Sequence, residues 1–148
     1  MAHTVTAANT PPNLKGKHFI MVEDDGDTRE FMLNVLEHTG AVVHVAQDGL
    51  KALDEIQRIA SRNRPDLIML DFMLPSISGS DIVERLKSRP ELEGIPLIIV
   101  TAYPESAELR ELSTLPGLDI LPKPAMVSDI YKKITAALRP GASPKTEK

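Results

Sequence analysis

Residues 65–75 read PDLIMLDFMLP, and the placing of Asp71 within them decides how the chain folds. Leu67, Ile68, Met69 and Leu70 form an unbroken apolar run, sized for a strand buried on both faces. A carboxylate directly after such a run sets a charge at the end of a core strand, where burial without a partner is costly. Partners must come from the ends of neighbouring strands.

DLIML (66–70) is one of five short runs rich in Ile, Val and Leu. The others are HFIMV (18–22), AVVHV (41–45), PLIIV (96–100) and LDIL (118–121). Segments with helical spacing alternate with them. DTREFMLNVLEHTG (27–40) puts Phe31, Met32, Val35 and Leu36 on one face, with Asp27 and Glu30 spaced as an acidic capping pair and Gly40 suited to the position past the helix end. DGLKALDEIQRIASR (48–62) repeats the design, with Asp48 as cap and Leu53, Ile56 and Ala60 inward. SDIVERLKSRP stops at Pro90, PESAELRELSTLPG begins beside Pro104, and VSDIYKKITAALRPG aligns Ile130, Ile134 and Leu138. Five strands alternating with five helices predict an α/β fold, a doubly wound parallel sheet covered on both faces.

Composition narrows the class. A chain of 148 residues is one domain's worth. Hydrophobic content of 42% and charged content of 26% are those of a globular protein. The net charge of −4 supplies no general attraction to nucleic acid or anionic membrane. The absence of cysteine excludes disulfides and thiolate metal sites and fits a reducing compartment, so a cytoplasmic location is expected. No apolar run approaches the ~20 residues of a membrane helix. Polar tails are expected at 1–16 and 139–148, around a domain at 17–138.

In open parallel sheets, ligands bind beyond the carboxyl ends of the strands near a topological switch point. The first strand runs into Glu23, Asp24 and Asp25, the third into Asp71, the fourth into Thr101 and Ala102, and the fifth into Pro122, Lys123 and Pro124. Clustered carboxylates either take protons with raised pKa or bind a cation. An all-oxygen set without His or Cys suits a hard ion, Mg²⁺ or Mn²⁺. Such an ion beside one carboxylate, with a lysine and a hydroxyl opposite, meets the needs of positioning-based phosphoryl transfer. The central carboxylate, Asp71, would be the nucleophile, forming an aspartyl phosphate.

VEDD after the first strand, LIMLDFMLPSISG around the third, VTA ending the fourth and LPKP ending the fifth closely resemble the receiver domain of two-component response regulators. The match covers 18 to about 138. The resemblance implies a flavodoxin-like sheet of order 2-1-3-4-5. It implies that Asp71 is the phosphoacceptor, Asp24 a direct Mg²⁺ ligand and Glu23 an acid holding the metal through water, with Asp25 peripheral. It also implies a metal contact from the Met73 backbone carbonyl, a mobile hydroxyl at Thr101 and a salt-bridging Lys123. Pro75 and Gly79 match the loop after the acceptor, where Gly would permit a turn that side chains disfavour. A cis Lys123–Pro124 bond is implied as well.

The pattern departs from the family at Ile120, where Tyr or Phe is usual, and at Ala125, where many members carry Phe. Tyr103, two residues past Thr101, could pack or could limit water access to a phosphoryl group. His3, His18, His38 and His44 are scattered, no pair has ligand spacing, and they read as surface or strand residues.

The expected function is a signalling switch and not an enzyme. Asp71 takes phosphate from a histidine kinase or histidine phosphotransfer protein and changes affinity for a downstream protein, without nucleic-acid or membrane contact. Only ten residues follow 138, too few for a helix-turn-helix unit, so a stand-alone receiver is expected. It would be a monomer, or a weak dimer through its fourth and fifth helices and fifth strand. One rival is a phosphate-independent module on the same scaffold. The other, an aspartyl-phosphate hydrolase of the haloacid dehalogenase type, needs a second acid two residues after the nucleophile, and Met73 stands there.

Overall fold

The computed structural model describes residues 9–139. The expected tails therefore fall partly outside it, at 1–8 and 140–148. Within the described part of the first, Leu14 packs on the core and its N–H donates to the Thr39 carbonyl at 2.7 Å.

Strands β1 (His18–Val22), β2 (Val42–Ala46), β3 (Leu67–Asp71), β4 (Leu97–Thr101) and β5 (Leu118–Pro122) form one sheet. Its order is β2-β1-β3-β4-β5, with every pairing parallel. Helices α1 (Gly26–Glu37), α2 (Gly49–Ala60), α3 (Gly79–Lys87) and α4 (Ala107–Leu112) carry the four crossovers, and α5 (Val127–Leu138) follows β5. The expected sheet and strand order are those found. The chain reverses its direction of travel across the sheet beside β1 and β3, which makes their carboxyl ends the switch point.

Two-residue alternation divides each strand between two cores. Ile20, Val22, Ile68, Leu70, Leu97 and Ile99 pack with α2, α3 and α4. Phe19, Met21, Leu67, Met69, Ile98 and Val100 pack with α1 and α5. All five residues of β3 and of β4 are buried, as their continuous apolar runs require.

Local signals differ from expectation in four places. The cap of α1 is Asp25, not Asp27: its carboxylate accepts from the Thr28 N–H at 2.9 Å and hydroxyl at 2.7 Å, so the helix starts earlier and Asp27 becomes a first-turn acid. Helix α4 starts at Ala107, later than Pro104, because Ser106 caps it by accepting from the Leu109 N–H. Phe31 is 43% exposed, because the buried stripe of α1 centres on Met32, Val35 and Leu36. Gly79 lacks the positive φ expected of a turn glycine. It is the first residue of α3, and a Cβ there would lie 2.3 Å from the Phe72 ring and 2.7 Å from the Phe72 carbonyl. Close approach, not backbone freedom, requires glycine.

Asp48 caps α2 as expected, accepting from the Lys51 N–H at 2.9 Å. Ile130 and Ile134 are buried on α5, and Leu138 packs at the edge of the same core. The Lys123–Pro124 bond is cis, as the resemblance implies.

Candidate acidic site at the strand ends

Four polar groups of the site each end a strand or follow one directly, and Asp24 comes one residue later. Glu23 follows β1, and its N–H pairs with the Ala46 carbonyl at 3.1 Å, extending the ladder by one residue. Asp71 closes β3 and Thr101 closes β4. Lys123 follows β5, with its N–H donating to the Thr101 carbonyl at 2.7 Å. The sheet thus sets the spacing of all four, and the apolar runs behind them keep it rigid.

Glu23, Asp71 and Thr101 are buried, whereas Asp24 is exposed. Glu23, Asp24 and Asp71 bring one carboxylate oxygen each within 4.8 Å of one another. Lys123 Nζ stands 3.3 Å from both Glu23 Oε1 and Asp71 Oδ2. The Met73 N–H donates to Asp71 Oδ1 at 3.0 Å, and the Asp25 N–H donates to Glu23 Oε2 at 3.2 Å. The Thr101 hydroxyl accepts from the Tyr103 N–H at 3.0 Å.

Electrostatics follow from this crowding. Burial, then the hydrogen bond and charge of Asp71, push the Glu23 carboxyl up to about 7, against the pull of Lys123. Burial alone would lower Lys123, but the Asp71 and Glu23 carboxylates outweigh it and hold the ammonium above its usual range. Two buried acids therefore share one cation and compete for it. An all-oxygen donor set with surplus negative charge fits a hard divalent ion. Such an ion would displace the proton from Glu23 and leave Lys123 free to pair with an anion.

The expected members Glu23, Asp24, Asp71, Thr101 and Lys123 meet at one place. The Met73 side chain points outward, 61% exposed, and Tyr103 is 65% exposed at the rim. A cleft of about 480 Å³ opens beside Lys123, bordered by Phe31, Ala102 and Ala125. Ile120 lies off the site, partly buried against the core under α2, α3 and α4.

Sequence reasoning missed Arg29, whose Nη1 donates to the Glu23 and Asp24 carbonyls. A basic residue one turn into the helix after an acid cluster is the signal that could have found it. It also left His18 and His44 apart. Parallel pairing of β1 with β2 brings His18 Nδ1 to 3.2 Å from His44 Nε2 at the opposite end of the sheet.

Comparison with known proteins bears on the same elements. The response regulator receiver domain model matches residues 19–135. The chain belongs to this family. Response regulator MprA of Mycobacterium sp. (strain KMS) is 32% identical over 120 residues, which are 81% of this chain and 50% of that protein. The same regulator from Mycobacterium leprae (strain TN) is 31% identical over the same shares. The chain spans about half the length of the curated relatives it matches. Among solved structures, the chemotaxis protein CheY4 of Vibrio cholerae superposes with a TM-score of 0.74 at 22% identity, covering 82% of this chain and 98% of that one. The receiver domain of sensor histidine kinase PA1611 from Pseudomonas aeruginosa PAO1 has a magnesium ion coordinated in its active site cleft. It matches at TM-score 0.71 and 25% identity, over 83% of this receiver and 98% of that chain. Among the described residues of this receiver, no helix is long and apolar enough to cross a membrane.

Proposed function

We propose that this receiver is a phosphorylation-dependent switch in which Asp71 accepts a phosphoryl group from a phosphohistidine of a histidine kinase or histidine phosphotransfer protein. The observation that carries the reading is the Lys123 ammonium held 3.3 Å from the Asp71 and Glu23 carboxylates at the strand ends. Asp71 Oδ2 attacks phosphorus, the P–N bond of the donor breaks, and the imidazole leaves. Glu23, Asp24 and Asp71 would hold Mg²⁺ with the Met73 carbonyl, and the ion would neutralise phosphoryl oxygens when bound. The Met73 N–H holds Asp71 Oδ1 in place, which leaves Oδ2 toward the lysine. Lys123 then pairs with the new phosphoryl oxygens, and the Thr101 hydroxyl donates to another once its loop moves.

Turnover is not the purpose of the site, since the position two residues past Asp71 carries the outward-facing Met73 and no acid. The output is a changed affinity for a downstream protein, and the donor and target would be met in the cytoplasm. A phosphate-independent scaffold is the second reading, favoured by Ile120 in place of a mobile aromatic.

Acetyl phosphate with Mg²⁺ tests the proposal by intact-mass spectrometry. The expected product carries one phosphoryl group and forms only with the metal. An unmodified chain with both acetyl phosphate and a phosphorylated donor would overturn it.

A further inference from the structure

Three consecutive carbonyls of the acid-bearing loop end on one side chain and its own backbone. Arg29 Nη1 donates to the Glu23 carbonyl at 3.1 Å and to the Asp24 carbonyl at 3.2 Å, while the Arg29 N–H donates to the Asp25 carbonyl at 2.9 Å. The Asp25 carbonyl, at the N-cap, takes the first backbone bond of α1, while the Glu23 and Asp24 carbonyls lie between β1 and α1 and are held by the Arg29 side chain. The Arg29 charge goes to carbonyl oxygens. Among the described residues, the ion pairs of Glu23 and Asp71 are with Lys123.

We infer that Arg29 is a positioning residue for the metal-binding acids, acting through the backbone of the loop that carries them. The inference rests on the Mg²⁺ reading proposed above and deepens it. Asp24 is exposed, so packing does little to aim its carboxylate. The peptide planes on either side of it set that aim, and a guanidinium bridging two successive carbonyls fixes both planes. Donors that orient metal ligands typically matter 10–100-fold in affinity.

Simple charge and positioning give opposite signs. Removing a cation near three carboxylates should tighten divalent-ion binding by Coulomb's law alone. Releasing the loop should weaken it. Both side-chain bonds come from the single nitrogen Nη1, so the ammonium of a lysine, with three donors, can replace it.

Backbone NMR of the whole chain, with and without Mg²⁺, decides between them. Arg29→Gln and Arg29→Met (which keeps the aliphatic stem) should move the amides of residues 23–25 in the metal-free protein. Each should weaken Mg²⁺ about 10-fold, and Arg29→Lys should restore most of both effects. Unchanged or tighter Mg²⁺ binding in the Gln and Met variants would overturn the inference, as would a lysine variant no better than they are. If the unsubstituted receiver itself fails to bind Mg²⁺, the proposed function falls separately. The metal-free shifts then decide the loop contact, and unmoved 23–25 amides would refute it.

Discussion

The Lys123 ammonium lies 3.3 Å from Asp71 Oδ2, so the carboxylate that ends the central strand is paired with a cation. This contact is why an acid is tolerated at the end of an otherwise apolar run. Asp71 and Glu23 are buried almost fully, while the lysine keeps about a quarter of its side chain in water (23%). The pair stands between an exposed bridge, worth about 0–1 kcal/mol, and a buried one whose breaking costs about 3–5 kcal/mol.

Lys123→Met should therefore lose about 2 kcal/mol at pH 8 without metal. At pH 6 the loss should be smaller, because Glu23, raised to about 7, takes a proton and relieves the repulsion. Urea unfolding at both values measures this. An equal loss at pH 6 and pH 8 would contradict the shared-cation arrangement.

Gly79→Ala should destabilise by about 1–3 kcal/mol, as overpacking does. The added methyl meets the Phe72 ring and carbonyl, one residue past Asp71. Helix propensity alone would favour alanine by about 1 kcal/mol, so the two effects have opposite signs. A urea midpoint at or above that of the unsubstituted protein would refute the close-approach reading.

His44 is lowered by burial first, then by His18 and Arg58, with Glu55 opposing. Asp66 lies beyond, its carboxylate accepting from the His18 N–H at 2.9 Å. A depressed histidine pKa means that the unfolded chain binds more protons between the folded value and about 6.5. The stability is present above about 6.5 and is lost as pH falls through the folded pKa. From pH 7.5 to 5.5 the urea midpoint should fall more for the natural sequence than for His44→Gln. Equal falls would remove the pair as the cause.

The sheet was legible because apolar runs, their alternation with helical periods and the acids at their ends all depend on neighbouring residues. Asp71, Thr101 and Lys123 could be placed at one edge for that reason alone. What stayed hidden depends on how elements meet. Whether Asp25 or Asp27 caps α1 turns on one loop's geometry. Phe31 turns on where α1 sits over the sheet, and Gly79 on the Phe72 ring beneath it. The His18–His44 contact arises only when β1 and β2 pair in their observed register. Arg29 was hidden because its partners are carbonyls, which carry no residue type.

Ile120 should stay nearly static on activation. It is β-branched, stiff at χ1 and partly buried against the core under α2, α3 and α4. The β4–α4 loop, 102–106, carries more freedom: Ala102, Tyr103 and Glu105 are exposed, and the Tyr103 N–H is tied to the hydroxyl of Thr101. Beryllofluoride with Mg²⁺ should shift the 102–106 amides and leave the Ile120 methyls nearly in place. Large methyl shifts with an unmoved loop would reverse that assignment.

The central claim is that Asp71 is the phosphoacceptor, and locating the phosphoryl group tests it most directly. After acetyl phosphate and Mg²⁺, borohydride reduction of the acyl phosphate and peptide sequencing should mark position 71, with no mark in Asp71→Asn. A mark at Glu23 or Asp24, or equal labelling of Asp71→Asn, would contradict the account.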